Sequence, residues 1–350
     1  MKTHRVTQVG AGKYSLEALC GNGVDGAAVI SADTLLASAV AYTNLTVNAS
    51  KVLTLQGVKL LVKGVLTLDG SIQDWVPVTS PASTKDGFNA SSSNPAATRA
   101  GTGMGNSLVP LGRDFGPNFT PTTSVPSAGA SGSSSSGNNA PTTATAYYGG
   151  TGIALGGYGG KGGNSGEGKA GQPRTATSEV IKLQFPLQTS NTSPATTVSF
   201  RLPVWGGYNG SAGAGGGMAG YGSGIGGGGG GGGLGGGIIC IYTRKLVLGA
   251  NARFLALGGN GGNGGAAAIG EGHGGGGGGA GGGGLVYIVA GDIDDSAVTG
   301  GIAACIDVSG GNGGLGGAKL GVGSEGQVGE DGGDGRYCIY NMRTGVWING

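Results

Sequence analysis

Histidine is the side chain best suited to proton transfer near neutral pH, and the chain has only two, His4 and His273. His273 lies in the run GEGHGGG without a visible partner that would orient its ring. Neither the nucleophile elbow G-x-S-x-G nor the zinc motif H-E-x-x-H occurs. We therefore predict that His273 is a solvent-facing connector residue and that the chain is not an enzyme.

Carboxylates form two clusters. Their members are Asp292, Asp294 and Asp295 in the first cluster and Glu330, Asp331 and Asp334 in the second. Such oxygens can bind Ca²⁺, and paired carboxylates can cleave glycosidic bonds. The second cluster is similar to a G-G-x-G-x-D repeat, but Tyr337 stands where an aspartate is needed. We predict solvated turns at both places, with no catalytic residue, metal or cofactor.

The four cysteines, Cys20, Cys240, Cys305 and Cys338, are far apart in the sequence. The last three lie in apolar runs with strand character, IICIY, IAACIDV and RYCIY. These settings favour buried free thiols, because unpaired cysteine behaves as a small apolar residue. A disulfide remains open but has no spacing that supports it.

Aromatic residues beside glycines or in loops are the candidates for receptor binding, because an exposed ring gives a large contact area at low entropic cost. The alternative is that these rings cover strand ends. The candidates are Phe115, Phe119, Tyr147, Tyr148, Trp205, Tyr208 and Tyr221.

Composition narrows the class of protein. The chain has 350 residues, of which 87 are glycine, whereas charged residues make up 11% and the net charge is +2. A basic stripe is absent, so we expect no nucleic-acid partner. No apolar run is long enough to span a membrane, and no signal peptide is visible. We therefore expect synthesis and folding in a cytoplasm.

The chain divides into four regions by composition. Residues 1–43 are a candidate attachment segment. Residues 44–75 alternate apolar and polar positions, which predicts short β-solenoid or sandwich strands with turns near Asn48, Gly57, Gly64 and Gly70. Residues 76–148 are rich in Ser, Thr and Pro and form a linker, a long surface loop or an insertion. Residues 149–350 are the glycine-rich domain.

Apolar runs alternate with the glycine tracts, and we predict them as strands: 179–185, 197–205, 237–249, 253–257, 285–293, 302–308 and 336–340. Triplet runs recur as GGYGGKGGN, GGNGGNGGA and GGNGGLGGA, the last two 52 residues apart. Pure glycine tracts precede IICIY and LVYIV. Random low complexity would not keep this order, so the pattern indicates an internal repeat.

A three-residue period is that of the polyproline II type of helix, in which every third residue shares one edge. In a G-G-x run two edges lack side chains and can contact neighbours, whereas a pure glycine run can be surrounded. We therefore predict a mainly β or irregular fold in which strands are interleaved with a bundle of polyglycine II helices, triplet runs outside and pure runs inside. Collagen has one glycine per triplet and enriched proline, so it is excluded.

The triplet runs and glycine tracts of 149–350 resemble those of the adhesins at the tips of T-even-type phage tail fibres. The resemblance implies a polyglycine II sandwich whose connecting loops bind a bacterial surface receptor. It implies a virion protein assembled in the host cytoplasm, with other tail or fibre proteins and a bacterial surface protein or polysaccharide as partners, and a homo-oligomer as a further alternative. A glycan-cleaving tail spike, a head fibre or decoration protein without a receptor role, and an ice-binding protein are the other readings.

Overall fold

The computed structural model describes residues 20–36, 38, 40–55, 58–74, 86–87, 89–90, 159, 162, 181–183, 200–202, 226–268, 270 and 272–350. Within these residues the fold is mainly β. The strands before residue 80 are β1 (Ala27–Ile30), β2 (Thr34–Leu36), β3 (Val40–Tyr42), β4 (Asn44–Val47), β5 (Val52–Leu55), β6 (Lys59–Leu68) and β7 (Ser71–Gln73). The later strands are β8 (Ile181–Leu183), β9 (Phe200–Leu202), β10 (Ile238–Leu248), β11 (Arg253–Leu255), β12 (Leu285–Asp294), β13 (Ile306–Asp307), β14 (Arg336–Asn341) and β15 (Val346–Asn349).

Two sheets contain all of these strands except the separate antiparallel pair of β8 and β9. Sheet A has the order β1-β4-β6-β10-β12-β14-β15, with β3 also paired to β6, and sheet B has the order β2-β5-β7-β11-β13. The chain alternates between the sheets and adds neighbours in the same order in both. Pairing is parallel throughout, except that β15 folds back antiparallel on β14. The result is a stack of coils, and every coil except the last contributes to both sheets.

The core lies between the two sheets. All nine apolar positions that the alternation of residues 44–72 indicates as inward-facing are buried, which confirms the period-two prediction. They are Leu45, Val47, Leu53, Leu55, Leu60, Val62, Leu66, Leu68 and Ile72. Ile241 and Ile288 continue the same core into β10 and β12. Since β6 pairs with β10 and β7 with β11, residues from the predicted 44–75 and 149–350 regions share both sheets.

The sequence predicted a turn near Gly64, but the structure places this residue inside β6. The register of β6 against β10 shifts between Thr243 and Lys245, where β6 carries one residue more than its partner. Such a bulge favours glycine. A Cβ at Gly64 would lie 2.4 Å from Oδ1 of Asn44, whose carboxamide oxygen accepts a hydrogen bond from the Val65 N–H.

Most of the strands predicted within residues 149–350 are confirmed, with two differences. The run IAACIDV is a 3-10 helix over Ile302–Cys305 followed by the two-residue strand β13. Strand β15 was not predicted, although its run VWIN has strand composition. Among the described residues, no helix is long and apolar enough to cross a membrane.

Within the part of the chain that the structure describes, five glycine segments extend the coils beyond the strands. They are segment 1 (226–237), segment 2 (256–268), segment 3 (272–284), segment 4 (308–320) and segment 5 (322–335). Segments 1, 3 and 5 run into β10, β12 and β14 of sheet A, whereas segments 2 and 4 leave β11 and β13 of sheet B. The ladder continues from strand to segment, since the N–H of Leu285 donates to the Gly237 carbonyl at 2.9 Å.

Candidate functional site

The glycine segments hold one another by backbone hydrogen bonds that repeat every third residue. In segment 2, the N–H groups of Gly258 and Gly261 donate to segment 4, whereas those of Gly259 and Gly262 donate to segment 1. The third set, represented by Asn260, donates to the side chain of Asp86 at 2.7 Å. Successive residues thus bond in three different directions. This satisfies the backbone groups of segments that have few side chains.

Burial follows the same period. Segments 1 and 3 are buried along their whole length, whereas segments 2 and 4 expose every third residue, as at Asn263 and Leu315. Pure glycine runs are therefore inside and triplet runs outside, as predicted. A Cβ at Gly278 would lie 2.0 Å from the Gly231 carbonyl oxygen, and one at Gly283 would lie 1.7 Å from that of Val308. No side chain fits at either position.

Amide and carboxylate side chains accept backbone N–H groups at the outer positions. Oδ1 of Asn260 accepts from Asn312 and Oδ1 of Asn263 accepts from Leu315, both at 2.8 Å. On segment 5, Asp331 accepts from Gly313 at 2.7 Å and Asp334 from Gly310 at 3.2 Å. Side chains therefore substitute for the neighbour that an outer segment lacks.

Two turns meet at the end of the glycine body away from the strands, and we call this end the tip. The first turn joins segments 2 and 3 and the second, around Gly321, joins segments 4 and 5. Gly272 and Leu320 exchange two backbone hydrogen bonds of 3.1 and 2.9 Å, and Ala267 donates to Ala318 at 2.9 Å. Gly321 has a φ of 60°, which favours glycine. The two turns therefore form one unit.

The tip exposes side chains of mixed chemistry. Leu320 is 40% exposed and Val322 is 72% exposed, and Lys319 and Glu325 are exposed beside them. Exposed apolar side chains with adjacent charges are the chemistry of a protein-binding surface. Sequence reasoning missed these residues because it selected aromatic rings. The available signal was the short apolar interruption LGV between two glycine runs.

His273 lies at the start of segment 3, next to the tip. It is 5% exposed, so the prediction of a solvent-facing residue was wrong. Its Nδ1 accepts a hydrogen bond from the Ser324 N–H at 2.8 Å, and its carbonyl accepts one from Gly227 at 2.9 Å. An accepting Nδ1 must be unprotonated, and burial lowers the pKa of the ring. Neutral His273 therefore ties segment 5 to segment 3.

All four thiols are free, as predicted for buried cysteines, and Cys338 is half-buried. Burial raises the pKa of Cys240 to about 12, with the charge of Lys59 acting in the opposite direction, and raises that of Cys338 to about 11. Tyr287 lies between them in the cross-strand register. A thiol that stays protonated is a poor nucleophile and metal ligand, so these cysteines serve as packing groups.

The acidic clusters bind backbone and cationic groups of this chain. Asp292 lies 3.0 Å from Nε of Arg343, and Asp295 accepts the Ile302 N–H at 2.8 Å. Hydrogen bonds from Ser296 lower the pKa of Asp294. Within the described residues, no group of three potential ligands is placed to hold a metal ion. These carboxylates therefore organise turns and segment edges.

The seven aromatic residues predicted for receptor binding all lie outside the described residues, so their placement stays a prediction. They are Phe115, Phe119, Tyr147, Tyr148, Trp205, Tyr208 and Tyr221. Comparison of the chain with protein-family models, with curated proteins and with solved structures gives no match.

Proposed function

We propose that the chain is a structural protein of a virion, a tail-fibre or spike adhesin that holds the tip against a receptor on the host cell surface. The observation that carries the proposal is the pair of hydrogen-bonded turns that expose Leu320 and Val322. These turns lie at the end of a body whose inner glycines are packed backbone against backbone, with no space for a side chain. Such a body positions a binding surface without losing conformational entropy on contact.

The body in this proposal is a bundle of polyglycine II helices. That helix has three residues per turn and makes no internal hydrogen bonds, so its groups bond to neighbours in three directions. The three bonding directions of segment 2 and the exposure of Asn260 and Asn263 at every third position support this assignment. The triplet runs that resemble those of phage adhesins supply the link to a virion.

The receptor in this proposal is a surface protein or a polysaccharide of a bacterium, and the mechanism is passive binding. The tip contributes two aliphatic side chains and one charge of each sign, from Lys319 and Glu325. Aliphatic groups gain most from a partner that buries them, whereas the charges set orientation.

Two measurements test the proposal. Mass spectrometry of purified phage particles should find the chain, and the purified protein should block adsorption of those particles to host cells. The double variant Leu320→Ser and Val322→Ser should lose blocking activity about tenfold or more. Val24→Ser is the matched control, since Val24 is 75% exposed but lies next to β1 in the first coil.

Each result has a distinct meaning. Presence in particles without competition would favour a head fibre or decoration protein that has no receptor role. Absence from particles together with absence of cell binding would refute the proposal. Equal loss in the tip variant and the control would place the receptor contact elsewhere.

A further inference from the structure

Among the described residues, large apolar side chains are exposed only at the two ends of the coil stack. Nine such residues are exposed in the described part of the chain, and none belongs to an inner coil. Val24, Val29 and Leu35 lie in the first coil, whereas Leu315, Leu320, Val322, Val328, Val346 and Trp347 lie in the last. The described residues of the inner coils expose only small, polar or charged side chains and glycines, so the ends differ from the flanks in chemistry.

The last coil has a regular outer face, formed by segments 4 and 5. Gly329 donates to Gly314 and Gly332 to Gly311, so the two segments are antiparallel and their outward residues pair in rungs. The rungs are Ser309 with Asp334, Asn312 with Asp331, Leu315 with Val328, and Ala318 with Glu325, all exposed. We call these eight residues the terminal face.

Two of the four rungs have an aspartate that accepts an N–H group of segment 4, and the other two do not. Asp334 and Asp331 accept the N–H groups of Gly310 and Gly313. The same spacing places Val328 opposite the N–H of Gly316, which makes no hydrogen bond within the described residues. An aspartate at 328 would therefore add a bond that valine cannot make.

The apolar rung thus forgoes a local interaction and exposes Leu315 by 61% and Val328 by 58%. Local rules of stability tend to be broken at functional sites, where a side chain serves a contact outside its own fold. Exposed apolar side chains gain when a partner removes them from water. The rung is therefore suited to contact with another molecule.

Charge selects the kind of partner. Segments 4 and 5 expose four carboxylates and one amine, Lys319. The carboxylates are Glu325, Glu330, Asp331 and Asp334. Two copies meeting through this face would bring like charges together, which opposes self-association. A surface with lysine or arginine beside an apolar side chain would match both the rung and its acidic surroundings.

We propose that the terminal face is a docking surface for a second, different protein that presents apolar side chains between basic residues. Leu315 and Val328 form the centre of the contact, and Asp331 and Glu325 flank it. The contact shares Glu325 with the tip but has a different centre, and it concerns assembly of the chain with another protein.

The test uses a substitution that should leave the fold intact while removing the contact. The double variant Leu315→Asn and Val328→Asp gives this rung the same residue types as the rung of Asn312 and Asp331. The new carboxylate can accept the Gly316 N–H. We expect a midpoint of thermal unfolding no lower than that of the wild type. The probes are three fluorescent peptides of equal length, with leucines between arginines, serines between arginines, and leucines between glutamates.

The wild type should bind the leucine–arginine peptide about tenfold or more tightly than the other two, measured by fluorescence anisotropy, and the double variant should lose this preference. Binding should also weaken as salt is raised. Equal binding of the three peptides, no binding of any, or unchanged binding by the variant would overturn the proposal. Concentration-dependent dimerisation in sedimentation velocity that the variant abolishes would overturn it too, in favour of a second copy.

The result is independent of the proposed receptor role. A double variant that loses the peptide but still blocks phage adsorption supports docking while leaving the receptor proposal intact. A Leu320→Ser and Val322→Ser protein that loses blocking but keeps the peptide separates the two surfaces in the opposite direction.

Discussion

The strand half and the glycine half of each later coil follow the same path but are held by different interactions. In the strand half, side chains such as Ile241 and Ile288 fill the space between two sheets. In the glycine half, the layers meet backbone to backbone, and a Cβ at Gly278 would lie 2.0 Å from a carbonyl oxygen. The strand half therefore depends on which side chains are present, and the glycine half on their absence.

The strand half and the glycine half join at the contact between Asp74 and Gly237. Asp74 follows β7 and is 2% exposed, and its carboxylate accepts the N–H of Gly237, the last residue before β10. At this point the pattern of bonds changes from a sheet ladder to the three-residue pattern. A buried carboxylate supplies the acceptor that neither pattern provides.

The largest effect is expected in the glycine half. Gly278→Ala should cost about 4–5 kcal/mol or prevent ordering of the segments, because its methyl group meets the Gly231 backbone. Denaturant unfolding with amide exchange over 226–335 measures both. The matched control is Ala280→Gly, which removes a buried methyl from the same segment and should cost only about 1 kcal/mol. Similar losses in both would refute the backbone-contact account.

The strand half should respond to lost volume. Leu66→Ala removes a fully buried side chain from the core and should cost about 2–5 kcal/mol. Exposed Lys63, on the same strand, gives the control Lys63→Ala with a change near zero. Chemical denaturation compares the two variants. A neutral Leu66→Ala would show that the sheets do not share a packed core.

The junction should be sensitive to loss of its acceptor. Asp74→Ala leaves the Gly237 N–H buried without its partner and should cost about 1–3 kcal/mol. Asp74→Asn keeps a carbonyl oxygen and should retain much of that stability. Thermal unfolding ranks the variants, and equal losses for alanine and asparagine would mean that the hydrogen bond is not the relevant interaction.

The smallest effect concerns pH at the tip. His273 has a pKa below its ordinary value of 6.5 in the folded protein, because burial disfavours the charged ring. The unfolded chain therefore takes up a proton that the folded chain does not. The contribution of His273 to stability is therefore greatest above about pH 6.5 and falls as the pH drops below it.

The measurement is the unfolding midpoint between neutral and mildly acidic pH, together with exchange of the Ser324 amide. His273→Gln removes the titrating group and should remove this part of the pH dependence. An unchanged profile in the glutamine variant would contradict the assignment. A rise in stability on acidification would contradict the sign.

Segment 5 has a three-residue glycine period that the sequence analysis did not use. Glycine recurs at every third position, at Gly323, Gly326, Gly329, Gly332 and Gly335, and Gly333 is one further glycine. The segment contacts two neighbours, because Gly326 donates to Gly317 of segment 4 and the Ser324 carbonyl accepts from Gly274 of segment 3. The prediction instead took its carboxylates as solvated turns, although Asp331 and Asp334 cap segment 4.

The sequence by itself determined the periods: two in the strands, which placed Leu45 to Ile72 in the core, and three in the glycine runs, which separated buried runs from exposed ones. A period is a property of neighbouring residues, so it can be read along the chain. The tertiary structure decided the burial of His273, the bulge at Gly64, the pairing of the tip turns and the apolar rung. These features depend on residues that the coil path brings together, as with Ser324 beside His273, and no local pattern specifies which residue the next coil will supply.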